Sequence, residues 1–208
     1  MIGGFEFYSS MIRSLRGDLI LFSALLFFAG LSSAPFVVEK EIRPLLWYPL
    51  WIWHRIQHWL KPRDPFLKMM MTITFLNATS LLTNILSGLL VVVPFVFAFL
   101  VGLHVGVIVI EETGKWSLAG MLLNPVAFVE LPATWISVSI GMECGLFLLH
   151  DFSFSGVFPL LRRGALVYGT LILPLLLVAA FMEVLLIKWG LRLATRKEEG
   201  GGSNSPDD

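Results

Sequence analysis

The chain has 208 residues, 56% hydrophobic and only 14% charged, where a soluble domain carries about 25% charged residues. That supply cannot cover a soluble surface, so the chain reads as a membrane protein whose first partner is the lipid bilayer. Its formal charges balance to zero, which gives no support for nucleic-acid binding.

From the N-terminus, "MIRSLRGDLILFSALLFFAGLSSAPFVVEK" (residues 11–40) imitates a signal peptide, with a basic start and small residues near Ser33. Its apolar run from Leu19 to Val38 is about 20 residues, long enough to cross, so a retained transmembrane helix is expected at 18–38. Next comes "EIRPLLWYPLWIWHRIQHWLKPRDP", in which Trp47, Trp51, Trp53 and Trp59 suit the bilayer interface. An interfacial amphipathic helix is expected at 42–61, ended by Pro62 and Pro65. His54 and His58 stand four apart, but no carboxylate or cysteine supplements them, so they read as interfacial anchors and no metal is assigned.

Further spans are expected at 66–89, 91–111, 125–149 and 164–188. "WSLAGMLLNP" (116–125) is too short to cross and follows the turn signal Thr113-Gly114, so it reads as a re-entrant half-helix. The polar tail 196–208 reads as disordered. The expected fold is an all-α membrane protein, a single polytopic domain over 1–195. It has about five transmembrane helices, an interfacial amphipathic helix and a re-entrant half-helix.

Five spans place Lys40, Arg43, Arg55, Lys61, Arg63, Lys68, Lys115, Lys188, Arg192, Arg196 and Lys197 on one side. Arg13, Arg16, Arg162 and Arg163 fall on the other. By the positive-inside rule this is a multi-pass cell-membrane protein with its C-terminus in the cytoplasm.

Inside the spans, polar residues are few and patterned. Thr74, Asn77, Ser80, Asn84 and Ser87 recur at intervals of three and four, on one helical face. That face serves either interhelical hydrogen bonds or a polar pathway. The triplet Asn77-Ala78-Thr79 matches a glycosylation sequon, which has no meaning inside a membrane helix. Ala98, Gly102 and Gly106 form a small-residue stripe, and His104 points away from it, as a packing histidine or a proton relay. Cys144, the single cysteine, reads as a packing thiol and excludes an internal disulfide or a Cys-rich metal site.

In "NPVAFVELPATW" (124–135), Asn124 is expected to cap a helix and Pro125 to occupy its first turn. Pro132 should kink that helix. Glu130 stands at the head of a second stripe, Ala133, Ser137, Gly141 and Gly145, and so faces neighbouring helices rather than lipid. Glu183 follows Ala179 and Ala180 on another small face, so Glu130 and Glu183 are candidates for one buried site. Paired carboxylates suit general acid–base work, yet no nucleophile or metal set accompanies them. No catalytic residue and no cofactor is assigned, and the chain reads as a non-enzyme.

Five stretches together resemble the stage II sporulation protein M family of integral membrane proteins: "FLNA" (75–78), "VGLHVG" (101–106), "PVAFVELPA" (125–133), "GMECG" (141–145) and "FMEV" (181–184). Their order and rough spacing follow the family pattern over 66–190. The chain departs from it at Ala78, at Val101, and at Val126-Ala127 where the family shows His-Gly, so a His–Glu relay at that position is impossible here. The resemblance implies a membrane scaffold or complex subunit.

The expected function is therefore a non-catalytic scaffold or subunit of a membrane complex, a homo-oligomer or an assembly with other membrane proteins. Partner contacts are expected through the small-residue grooves and the Trp-rich helix. The alternative is a channel or transporter subunit whose polar route is lined by Asn77, Asn84, Glu130 and Glu183.

Overall fold

The structure, a computed structural model, describes residues 4–61, 63–114, 120 and 123–201. The helices are α1 (Gly4–Arg13), α2 (Gly17–Glu39), α3 (Arg43–Trp59), α4 (Phe66–Leu86), α5 (Val93–Thr113), α6 (Ala127–Asp151), α7 (Phe154–Val167) and α8 (Leu173–Gly201). A 3₁₀ turn, Ser87–Leu90, extends α4, and a π-turn, Tyr168–Ile172, joins α7 to α8. No strand occurs among the described residues.

Five helical stretches are long and apolar enough to cross a membrane: α2, α4 with its extension, α5, α6, and the α7–α8 stretch over Ser155–Leu193. These are the five expected spans, with shifted ends. The last is 39 residues long, about 58 Å of helix, nearly twice the hydrocarbon thickness. Only part of it is needed to cross.

Two further differences stand out. The amphipathic helix α1 was not anticipated; it buries Met11 beside the π-turn, where the Thr170 hydroxyl meets its sulfur at 3.0 Å. The last helix runs through Gly201, so residues 196–201 of the expected tail are helical, and 202–208 lie outside the described residues. Most of the expected half-helix at 116–125 also lies outside them.

Small residues decide how the spans meet. α2 runs parallel to α5, and their backbones touch: a Cβ on Gly102 would stand 1.9 Å from the Phe27 carbonyl oxygen. A Cβ on Gly30 would stand equally close, 1.9 Å, to the Phe99 carbonyl oxygen, and one on Gly106 would meet Ala34 Cβ at 2.5 Å. Only glycine admits such an approach, which packs the pair through dispersion where lipid offers no hydrophobic drive.

α4 and α6 run parallel at a constant offset. Asn77 pairs with Glu130 and Asn84 with Ser137, both 53 residues apart. Gly88 abuts Gly141 at that offset, its Cβ position 2.3 Å from the Gly141 carbonyl oxygen. Positions 77, 84 and 88 share one helical face, so a single face of α4 meets the small-residue stripe of α6.

The α4–α5 turn is equally tight. Val91 has φ +55° and ψ −69°, and the Val92 N–H donates to the Leu90 carbonyl at 2.6 Å. That is a γ-turn of the rarer, strained hand on a β-branched residue. Gly145 makes room for it, since a Cβ there would come within 2.4 Å of the Val91 carbonyl oxygen. Near the same end, Arg163 of α7 donates to the Glu143 carboxylate, and Cys144 is buried beside them.

Candidate functional site

The parallel register sets the depth of α6. Ala127, its first residue, stands opposite Thr74 of α4 by the 53-residue offset, about 12 Å along from Phe66. The helix thus begins inside the bundle. Its start differs from expectation: the Asn124 Oδ1 accepts the Val126 N–H at 3.0 Å, and the Asn124 carbonyl accepts the Ala127 N–H at 3.0 Å. Asn124 therefore closes a turn before the helix. The α-helix proper begins at Ala127, so Pro125 lies in that turn rather than in the first helical position.

Glu130 follows in the first turn of α6. Asn77 Nδ2 donates to its Oε1 at 2.8 Å. Three adjoining cavities meet at Glu130. The first, about 520 Å³, is lined by Trp53, Gln57, Asn77, Glu112, Glu130 and Glu183 among others. A second, about 470 Å³, also contains both Glu130 and Glu183, with Asn124 at its rim. The third, about 230 Å³, reaches inward past Asn77 and Glu130 to His104 and Asn84. The sequence-predicted set Asn77, Asn84, His104, Glu130 and Glu183 thus lines neighbouring cavities that share Glu130 and are otherwise walled mostly by apolar side chains.

That space narrows away from α3. Asn84 Nδ2 reaches the Ser137 hydroxyl at 3.4 Å, and one turn further Gly88 and Gly141 bring the two backbones together. Ala133, Val138, Ile140 and Met142 fill α6 on both sides of this contact. The cavities open towards the end of the bundle that carries α3 and the C-terminal part of α8.

The small-residue stripes are occupied by the chain itself. Ala98, Gly102 and Gly106 face α2; Ser137 and Gly141 face α4, Gly145 faces the Val91 turn, and Ala133 is fully buried in the same core. They are internal seams, because backbone-to-backbone contact leaves no groove for a partner helix. His104 turns away from its stripe and stacks on Tyr48 of α3, ring centroids 4.7 Å apart.

The tryptophans divide. Trp47, Trp51 and Trp59 are exposed, with the Arg55 guanidinium lying over the Trp51 and Trp59 rings. Trp53 turns inward, and its Nε1 donates to Glu112 Oε1 at 2.7 Å. Gln57 Nε2 donates to the same oxygen at 2.9 Å. Glu112 and Gln57 escaped the sequence reading, although Glu111-Glu112 is a visible charged pair at a span end. The Glu143–Arg163 pair escaped it too; its signal was a carboxylate inside "GMECG" and the basic pair Arg162-Arg163 of the following helix.

The family model described as Stage II sporulation protein M matches residues 19–186, most of the chain. No curated protein and no solved structure matches it.

Proposed function

The chain belongs to the stage II sporulation protein M family, and we propose that it serves as a non-catalytic scaffold or subunit of a membrane assembly. The observation that carries this reading is the locked bundle. Backbone contacts at Gly30–Phe99, Gly102–Phe27 and Gly88–Gly141 fix the spans against one another, and a fixed frame is what a scaffold supplies. With the grooves filled, its partners meet the outer faces, foremost the Trp-rich face of α3 lying at the membrane surface. The Lys and Arg distribution supports a cytoplasmic position for α3 and the C-terminus. Purification in mild detergent followed by native mass spectrometry tests the proposal. A stable homo-oligomer or a co-purifying membrane protein is expected, and a strictly monomeric, partner-free chain overturns it.

A second reading, handling of protons or small cations, is favoured by the meeting of Glu130, Glu183 and Asn77 around one cavity. Glu130→Gln would then change proton- or cation-driven flux in liposomes. Purified protein that moves neither across a sealed bilayer removes this second reading.

A further inference from the structure

We propose that the cleft between the start of α4 and the C-terminal part of α8 is a binding site for an anionic phospholipid. The cleft is separate from the Glu130–Glu183 cavities, and its ligand is the same under either functional reading.

The cleft measures about 610 Å³, is open to the outside, and is lined by Phe66, Leu185, Leu186, Lys188, Trp189 and Arg192. Leu185, Lys188, Trp189 and Arg192 stand at i, i+3, i+4 and i+7, so they form a single stripe of α8. One turn before them, Phe181 packs edge-on against Phe66, ring centroids 5.5 Å apart, at the apolar end of the stripe. Along the helix axis the stripe passes from hydrocarbon through indole to guanidinium within about 11 Å. Phe66 is also where the apolar stretch of α4 begins, and Lys188 is the first cation of α8. The cleft therefore lies where hydrocarbon gives way to headgroups. There a tryptophan ring sits half wet, and Lys and Arg stems reach outward to phosphate.

Charge selects the headgroup. Two cations and no carboxylate line the cleft among the described residues. The Lys188 Nζ donates to the Asp64 carbonyl at 2.5 Å, a neutral acceptor that fixes the ammonium at the rim without offsetting its charge. An ammonium and a guanidinium four residues apart suit a phosphodiester, the guanidinium through its paired donors. A zwitterionic head brings a cation of its own to the same place and gains less. The cleft also stands on the side with most of the Lys and Arg residues, proposed above as cytoplasmic, where the leaflet carries anionic lipid.

Native mass spectrometry tests the site, with the full chain in detergent titrated by phosphatidylglycerol or by phosphatidylcholine of the same chains. The first phosphatidylglycerol should bind about tenfold more tightly than the first phosphatidylcholine. Lys188→Gln and Arg192→Gln should each weaken it about fivefold, equivalent to about 1 kcal/mol per basic residue. Arg192 is exposed, so Arg192→Gln keeps the fold and carries the test if Lys188→Gln disturbs the Asp64 loop. Leu185→Trp, also at an exposed position, fills the cleft with both cations in place and should weaken binding as well. Lys40→Gln removes an equal charge at the end of α2, outside the cleft, and should leave the affinity unchanged. Equal affinity for the two lipids overturns the site. So does an equal loss in Lys40→Gln and Arg192→Gln, which would mean diffuse attraction to a basic surface. Displacement of the lipid by inorganic phosphate would make a soluble anion the ligand and overturns the lipid assignment.

Discussion

Two seams of the same bundle are built on opposite terms. Between α2 and α5 the contact is dry and close, with Gly30, Gly102 and Gly106 each pressed against the other helix. Between α4 and α6 the seam is zipped at the Gly88–Gly141 end and parts towards α3, where Asn77, Glu130 and Glu183 line open space. The difference lies in what stands at equivalent helical positions. A glycine lets backbones meet, whereas an amide or carboxylate holds the helices apart and must find a partner. A membrane protein can thus keep a polar space without loosening its frame, by confining it to one end of one seam.

The largest effect should come from the dry seam. Gly102→Ala puts a methyl where the Phe27 carbonyl oxygen is 1.9 Å away, and that oxygen belongs to a backbone that cannot step aside. A loss of about 3 kcal/mol or more is expected, read as a fall in the midpoint of SDS-induced unfolding. Gly190→Ala, with nothing within 4 Å of the new methyl, should leave stability unchanged or raise it by up to about 1 kcal/mol, as alanine favours the helix over glycine. Equal losses at the two positions would mean that the close approach at Gly102 does not hold the α2–α5 seam.

Next in size is the Glu143–Arg163 pair, whose side chains keep 16% and 29% of their exposure. Glu143→Ala leaves the guanidinium without its anion, at a cost of about 2 kcal/mol, between the values for exposed and buried pairs. The swap Glu143→Arg with Arg163→Glu should recover part of that loss. If the swap is no better than the single change, the pair acts through packing and not charge.

Much of this was legible in the chain because the signals are local and periodic. Ala98, Gly102 and Gly106 announced a close helix contact by spacing alone, and Glu130 followed by Ala133, Ser137 and Gly141 announced a carboxylate on an inward face. Which helix fills each stripe was not legible, since a small-residue face is the same whether its partner lies within the chain or outside it. Within the chain the stripes meet α2, α4 and the Val91 turn, which spacing alone does not name. Trp53 was grouped with Trp47, Trp51 and Trp59 because composition marks an interface without telling inner from outer face; only Glu112, distant in sequence, turns Trp53 inward. Pro125 was placed in the helix because an Asn-Pro start has the same residues whether the asparagine caps a helix or closes a turn before it.

In the open seam the expected cost is smaller. Asn77→Leu removes the donor to Glu130 Oε1, and an interhelical hydrogen bond in a membrane contributes about 0.6 kcal/mol on average. The carboxylate left without its amide adds to this, so a loss of about 1–2 kcal/mol in SDS unfolding is expected. Glu130→Gln, which keeps an oxygen for the same donor, should fall below that range. A larger effect from Glu130→Gln than from Asn77→Leu would show that the charge of Glu130, and not its bond to α4, organises the seam.

The smallest effect lies at the rim, in the loop between α3 and α4. Asp64 Oδ1 accepts from Lys68 Nζ at 2.9 Å and its Oδ2 accepts the Lys61 N–H at 3.1 Å, while the Asp64 carbonyl accepts from Lys188 Nζ at 2.5 Å. The hydrogen bond from Lys68, then that from the Lys61 backbone, favour the ionised carboxyl and hold its pKa below the ordinary aspartate value. A carboxyl whose pKa is lowered by folding contributes its stability above the unfolded-state value and loses it as pH falls through the lowered native one. Stability should therefore carry an Asp64 component that is constant at neutral pH and fades only below about pH 4. In Asp64→Asn that acid-side slope should shrink, while the neutral-pH midpoint shifts less than in any variant above. An unchanged slope would mean that Lys188, bound to the carbonyl, tethers this loop to α8 without help from the side chain.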